Sequence, residues 1–238
     1  MNELHLSKRL ETVAGYLIKD SSFADIGSDH AYLPCYAVIK GLAKTAIAGE
    51  ITEGPFQSAK NQVIKNELSA SIEVRKGDGL EVIEPNEVDC ITIAGMGGGL
   101  ISKILDDGKE KLEGVSRLIL QPNIHADFVR MWLMENEWEL ISEQIIEEDD
   151  KIYEILVAER GEVNKPYINK NIDAAILTGP FLMEEKNDVF KKKWSLECEH
   201  WKKIVQQLNA AAATREKRVK QKELERKIQL IEEVLDNE

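Results

Sequence analysis

The sequence predicts an α/β fold: a mainly parallel sheet with helices on both faces, closed by an antiparallel hairpin and followed by a C-terminal antiparallel helical coiled-coil appendage. Three observations predict it. Short apolar runs alternate with helical stretches through five strands, the order that covers both faces of a parallel sheet. Two long strand-like runs then meet at a polar turn, as an antiparallel hairpin does. Past a Gly/Pro break the apolar spacing lengthens to that of packed helices.

The elements follow in order. Leu6, Leu10, Val13, Ala14 and Leu17 fall at helical spacing, with Ser7 as a candidate cap and Glu11 one position beyond the capping-box site. "SFADIG" (22–27) reads as the first strand and "YLPCYAVIKG" as a helix ending at Gly41. "KTAIAGEI" (44–51) is the second strand, followed by the helix "PFQSAKNQVIKNEL", and "SIEVRKGDG" (71–79) is the third. "VDCITIAGMGGG" (88–99) contains the fourth, with the helix "LISKILDDGKEKL" after it. "SRLILQPN" (116–123) is the fifth, followed by "ADFVRMWLMENEW", in which Trp132 and Trp138 continue a helical core pattern. "ELISEQIIEED" and "KIYEILVAER" form the hairpin around Glu147 to Asp150.

Gly161 to Pro166 marks a boundary, which divides the chain into residues 1–162 and 163–238. Beyond it, Phe190, Trp194, Trp201, Ile204, Leu208 and Ala211 lie on one seam, with Glu197 at the skipped position. The seam breaks at an Ala-rich stretch, and Leu224, Ile228, Ile231 and Leu235 form a second seam out of phase with it. Two helices folded back on each other explain the phase break; one long helix with a stutter, or a dimerising coil, is the competing account.

Composition describes a water-soluble protein, 43% hydrophobic and 31% charged. No window reaches the roughly 18 apolar residues of a membrane span, and "MNELHLSKRLETVAG" lacks the layout of a secretory signal. Cys35, Cys90 and Cys198 are odd in number and far apart, which suits buried thiols in a reducing cytoplasm. The net charge of −12 argues against a polyanionic partner, but its distribution softens that argument. Residues 184–238 hold 13 Lys/Arg against 12 Asp/Glu, and "REKRVKQKELERK" (215–227) has seven basic residues and three acidic ones. RNA phosphates respond to local potential, so such a segment is compatible with RNA contact. Taken alone, the segment is better accounted for as a solvated helix face with alternating charges.

Ligands of open α/β sheets bind outside the carboxyl ends of the parallel strands. Four tips share that edge: Asp25-Ile26-Gly27 followed by "SDHAYLP", Gly49-Glu50, Gly77-Asp78-Gly79, and Gly95-Met96-Gly97-Gly98. A glycine after the first strand lets the backbone approach a ligand. An acid at the second tip suits a ribose, and Asp78 with Gly79 suits an adenine ring. The glycines of a dinucleotide loop are replaced by Asp29, His30 and Ala31. Asp29 at a helix entrance repels a pyrophosphate, whereas Asp25 and Asp29 suit the cationic sulfonium and ammonium of S-adenosyl-L-methionine. The sign of the charge favours that cofactor over NAD.

"DIGSDHAYLP", then "AGMGG", then the helical hairpin together resemble the bacterial tRNA (adenine-22 N1)-methyltransferase family, within the Rossmann-like class I S-adenosyl-L-methionine-dependent methyltransferases. The resemblance spans essentially the whole chain and implies tRNA as substrate. It assigns Asp25 and Gly27 to the methionine end of the cofactor, Glu50 with its neighbour Ile51 to the ribose side, and Asp78 and Gly79 to the adenine. It assigns Gly95, Met96 and Gly97 to the methyl-transfer chamber. Amino-directed adenine methyltransferases have Asn or Asp, Pro-Pro and an aromatic at the fourth tip; "AGMGG" has none of these, which argues against N6 chemistry.

Asp29, His30 and Tyr32 sit where substrate should approach, as catalytic candidates or as residues that stabilise the turn. Arg9 is a candidate for RNA phosphate or for a surface ion pair. "QPNIH" (121–125) borders the base pocket or merely starts the next helix, while Trp194 and Trp201 read as core. His5, His30, His125 and His200 lack ligand-like partners at helical spacing, so no metal is expected. Two other readings stay open: a methyltransferase for another RNA base or a small molecule, and a non-catalytic cofactor- or RNA-binding module.

Overall fold

The computed structural model describes residues 4–210 and 214–236. The chain divides into two compact units, Met1–Lys165 and Pro166–Glu238.

In the first unit, helix α1 (Lys8–Gly15) is capped by the Ser7 side chain, which accepts from the Leu10 N–H. Strand β1 (Ser22–Ile26), helix α2 (Tyr32–Ile39), strand β2 (Thr45–Glu50), helix α3 (Glu53–Lys65) and strand β3 (Ile72–Lys76) follow. Then come β4 (Cys90–Gly97), α4 (Gly98–Asp107), β5 (Arg117–Ile124), α5 (Ala126–Glu135), β6 (Trp138–Glu148) and β7 (Lys151–Arg160). The seven strands run in the order β3-β2-β1-β4-β5-β7-β6. β1 to β5 run parallel to one another, and β7 runs antiparallel between β5 and β6.

Alternation along the strands builds two cores. Phe23, Ala46, Ile72, Cys90 and Ile119 pack with Val13, Leu33, Ala59 and Val63 on the face that carries α1 to α3. The intervening residues Ile91, Ile93, Leu118 and Leu120 are fully buried on the opposite side, the side of α4 and α5. Each such side chain contributes about 1.5–3 kcal/mol relative to exposure. With both faces covered, a polar residue inside these strands must find a partner.

Several boundaries differ from the sequence reading. Helix α5 ends at Glu135 and Trp138 opens β6, because Glu137 takes a left-handed turn between them. Trp138 is buried there as a strand residue rather than as the last turn of a helix. Helix α4 starts at Gly98 rather than Leu100. The hairpin turn lies where the polar run placed it: Asp149 and Asp150 both have positive φ, the geometry of a two-residue turn matched to strand twist.

In the second unit, short helices α6 (Ile172–Thr178) and α7 (Leu182–Glu185) precede α8 (Asp188–Ala210) and α9 (Arg215–Asp236). A four-residue connection spans at most about 14 Å. The 22-residue α9 is about 33 Å long, so the two helices, which pack together, must run antiparallel. Lys202 pairs with Glu232 and Lys227 lies over the Trp201 ring. Phe190, Trp194, Leu224, Ile228 and Ile231 are buried as their spacing predicts. The skipped position is filled by buried Cys198 rather than Glu197, and Val234 is more buried than Leu235. Ala211 lies outside the described residues.

Candidate active site

The tip of β1 is built around a buried carboxylate. Asp25 pairs with Thr92 in the parallel register of β1 and β4, and its two oxygens accept from Thr92 Oγ1 and Ser28 Oγ, each at 2.6 Å. Burial nevertheless raises its pKa above the ordinary carboxylate value, with the hydrogen bonds and the Arg9 guanidinium pulling the other way. Gly27 follows at φ +70, and a Cβ there would fall 2.4 Å from Met96 Cε. The N–H groups of Gly27 and Ser28 both donate to Gly49 O of β2.

Asp29, His30 and Ala31 then have φ of 38°, 67° and 54°, three consecutive left-handed residues without a glycine. Each is an uncommon state that costs of order 1 kcal/mol or more and persists where the surroundings impose it. A bond across the sheet edge anchors the first of them: the Asp29 N–H donates to the Glu50 carboxylate. Ala31 is buried at the entrance of α2, whereas Asp29 and His30 stay exposed. The His30 and Tyr32 rings stack at 5.4 Å.

Glu50, at the end of β2, is buried. Its pKa is raised, first by desolvation and further by the Asp29 and Asp25 carboxylates, against the Asp29 N–H. Ile51 beside it is 56% exposed. At the β3 tip, Asp78 is exposed and its N–H donates to Glu81. Gly79 has φ +53 and sits under Ile104, and both border a cavity of about 190 Å³ with Asp78, Leu80 and Asp107. A larger hollow of about 620 Å³ wraps the β3 edge near the amino ends Ser22, Thr45 and Ser71. It lies away from the tips, and the buried carboxylates are not part of it.

The β4 tip is irregular: its register with β5 shifts on either side of Met96, and Gly95 takes φ +83. Two side chains of β5 hold that bulge. Gln121 Oε1 accepts from Gly95 N at 2.9 Å and from Arg9 Nη1 at 2.5 Å. Gln121 Nε2 donates to Asn123 Oδ1, and Asn123 Nδ2 donates to Gly95 O at 2.8 Å. Arg9 is half-buried, turned inward onto this clamp and 5.4 Å from the Tyr153 ring centroid.

Asp25, Gly27, Asp29, Glu50, Gly95 and Met96 thus share one edge, with Arg9 reaching it from α1. Asp78 and Gly79 stand at the next tip, and Tyr32 joins through His30. Thr92 escapes a motif reading, and "QPNIH" points to Gln121 and Asn123 without showing the clamp they form. Their signal is a polar residue inside an apolar strand run, "CITIAG" and "LILQPN", where burial demands a partner. Among the described residues, no group of three or more His, Cys, Asp or Glu is placed to hold a metal ion, and no helix is long and apolar enough to cross a membrane.

A parallel sheet closed by an antiparallel seventh strand, with acids at the first two tips and glycine at all four, defines a class I S-adenosyl-L-methionine-dependent methyltransferase fold. Residues 23–233 match the family model of tRNA (adenine(22)-N(1))-methyltransferases, and the chain belongs to that family. It is 56% identical over 237 residues to the tRNA (adenine(22)-N(1))-methyltransferase of Bacillus subtilis, covering 100% of both chains. The crystal structure of the B. subtilis m1A22 tRNA methyltransferase superposes with a TM-score of 0.95 at 55% identity, covering 98% of this chain and 100% of that one. A Streptococcus pneumoniae structure in complex with S-adenosyl-L-methionine superposes with a TM-score of 0.85 at 42% identity, covering 97% and 100%.

Proposed function

We infer that this chain transfers a methyl group from S-adenosyl-L-methionine to N1 of an adenine in tRNA, position 22 by family membership. The observation that carries the reading is the pairing of an acidic cofactor edge with a β4 tip that offers no side-chain acceptor. Asp25 and Glu50 are both buried with raised pKa values, and exposed Asp29 stands at the helix entrance. That arrangement resists phosphate and gains from a cation.

The donor supplies an electrophilic methyl group on a positively charged sulfur. Asp25, through the turn at Gly27, holds the cationic methionine end. Glu50 spends one oxygen on the Asp29 N–H, and its carboxylate takes the ribose hydroxyls. Ile51, Asp78 and Gly79 bound the adenine of the cofactor. Gly95, Met96 and Gly97 line the chamber, where the Gln121–Asn123 clamp fixes the peptide of Gly95. The N1 lone pair of the substrate base lies in the ring plane and is free at neutral pH, so no strong base is needed for the attack. The N1–C bond forms as the S–C bond breaks, and that bonding pair leaves with the sulfur as a neutral thioether. The positive charge passes to the methylated adenine. The residues' task is therefore alignment at near-attack distance. Asp29, His30 and Tyr32 stand on the side from which the base enters, and Arg9 supports the chamber from within.

Residues 1–162 serve as the cofactor-binding methyltransferase domain, and the helices of 163–238 grip the folded RNA through the exposed basic side chains Arg215, Arg218, Lys220 and Lys222. The reducing cytoplasm, where tRNA is modified, suits three free and buried cysteines. Incubating tRNA with the protein and labelled cofactor, then analysing nucleosides by mass spectrometry, tests the reading. N1-methyladenosine supports it. N6-methyladenosine or no transfer rejects it.

A further inference from the structure

The β4 tip has no aromatic to stack on a base, yet the strands on either side of it do. The sheet order places β4 between β1 and β5. After β1 comes the stacked pair His30–Tyr32, and after β5 a second stacked pair, His125–Phe128, with centroids 5.2 Å apart and planes 15° from parallel. The second pair is open to solvent: the His125 side chain is 59% exposed and Phe128 43%. Ile124 and Met131 beside it are exposed as well. Exposed aromatics of this kind at the rim of a site are uncommon without a ligand to cover them.

Glycines hold this pair against the chamber. A Cβ on Gly98 would fall 1.9 Å from the His125 carbonyl oxygen, and one on Gly99 would meet the Phe128 ring at 3.4 Å. A Cβ on Gly97 would lie 3.8 Å from Ile124. A side chain at Gly98 would push the β5 turn away from the β4 tip, whereas at Gly97 and Gly99 the Cβ makes ordinary contact. His125 itself takes a left-handed conformation, φ 58° and ψ 51°, which turns the chain into α5. On the other side of the turn, Asn123 is bonded to Gly95 O. Gly98 thus lets the His125 turn, with its aromatic pair, lie close to the β4 tip.

We propose that the His125–Phe128 pair is the platform on which the substrate adenine stacks, replacing the aromatic that other adenine methyltransferases carry at the fourth tip. The proposal rests on the tRNA-methylating reading above. Stacking uses the π face of the base and leaves its N1 edge free to point at the chamber, which in-plane attack requires. His125 flanks Phe128 and keeps its ring parallel to the incoming base.

Phe128→Ala, Phe128→Leu and Phe128→Trp separate stacking from packing, because the residue is exposed enough for all three to fold, which an unchanged melting temperature confirms. Alanine and leucine should each lower kcat for tRNA about 10- to 100-fold, while tryptophan stays within about threefold and cofactor affinity by calorimetry is unchanged in all. Wild-type turnover in the leucine variant overturns the platform, since leucine packs but does not stack. A loss confined to KM also overturns it, by moving the contact to a flanking nucleotide. If the wild type does not methylate tRNA, the functional reading fails by itself. The platform is then judged by anisotropy of a fluorescent RNA stem-loop with S-adenosylhomocysteine present: weaker binding by Phe128→Leu upholds it, and equal binding rejects it.

Discussion

The main-chain N–H of Asp29 donates to the carboxylate of Glu50, so the loop after β1 and the end of β2 form one unit. This bond anchors the first of three consecutive left-handed residues without a glycine. It also places a third acidic side chain, that of Asp29, beside two that are already raised by burial. The edge is therefore acidic, and a cation suits it.

Replacing Glu50 separates stability from binding. Because its folded pKa is raised, ionised Glu50 opposes folding as pH climbs above the ordinary carboxylate range. Glu50→Gln keeps an acceptor for Asp29 but removes the charge, so the ligand-free protein should melt higher at neutral pH. Cofactor affinity should fall about 10- to 100-fold, the worth of charged hydrogen bonds to a ribose. Calorimetry and a thermal melt on the same sample check both signs, and a variant that binds normally removes Glu50 from the ribose.

Cofactor affinity should depend on pH for the same reason. Asp25 and Glu50 both have raised pKa values caused chiefly by burial, and a bound cation favours their ionised forms. Binding therefore expels protons, and affinity weakens as pH falls from about 7.5 to about 5, toward the carboxylate range. Titration in buffers of different ionisation enthalpy counts the protons. S-adenosylhomocysteine lacks the sulfonium charge, so its affinity should change less over that range; an equal slope for both ligands would place the acids away from the sulfur.

Gln121 links Arg9 to the Gly95 peptide, and Gln121→Ala leaves both donors without that acceptor. Neither donor is buried, so water can replace the acceptor and each lost bond costs about 0.5–1.5 kcal/mol. If the freed bulge moves, kcat should fall about 10- to 100-fold while cofactor affinity changes less than about twofold. Single-turnover kinetics with saturating tRNA give the first quantity and calorimetry the second. Equal losses in both would make the clamp a cofactor contact instead.

The parallel sheet was legible in the sequence because buried strands leave apolar runs and their tips leave glycines and acids. Asp25, Gly27, Glu50 and Gly95 announce themselves by position alone. The orientation of Arg9 could not be read, since a helix surface allows both an outward ion pair and an inward bond to Gln121. Trp138 misled because an aromatic after a helix extends the helical period as well as it opens a strand; the left-handed Glu137 decides, and its φ has no sequence signature. "QPNIH" points to His125, but its stacking on Phe128 could not be read, because the left-handed turn at His125 that brings the two rings together has no sequence signature.

Arg130 joins the last helix of the methyltransferase sheet to its antiparallel hairpin. Fully buried on α5, it donates to Glu143 of β6 at 2.7 Å and pairs with Glu154 of β7. The two carboxylates are themselves buried, so the cluster tolerates loss of an acid better than loss of its one guanidinium. Removing one partner of a buried pair costs about 3–5 kcal/mol, a large share of the roughly 5–15 kcal/mol that holds a domain together. Arg130→Met should therefore shift the urea midpoint far more than Glu154→Gln, which leaves a single balanced pair. Screening barely reaches buried charges, so the gap between the two variants should persist from low salt to about 1 M. Because α5 begins at the His125 turn, the arginine variant should also lose methyl transfer below its melting temperature. Equal midpoints for the two variants would mean that the guanidinium does not neutralise the pair.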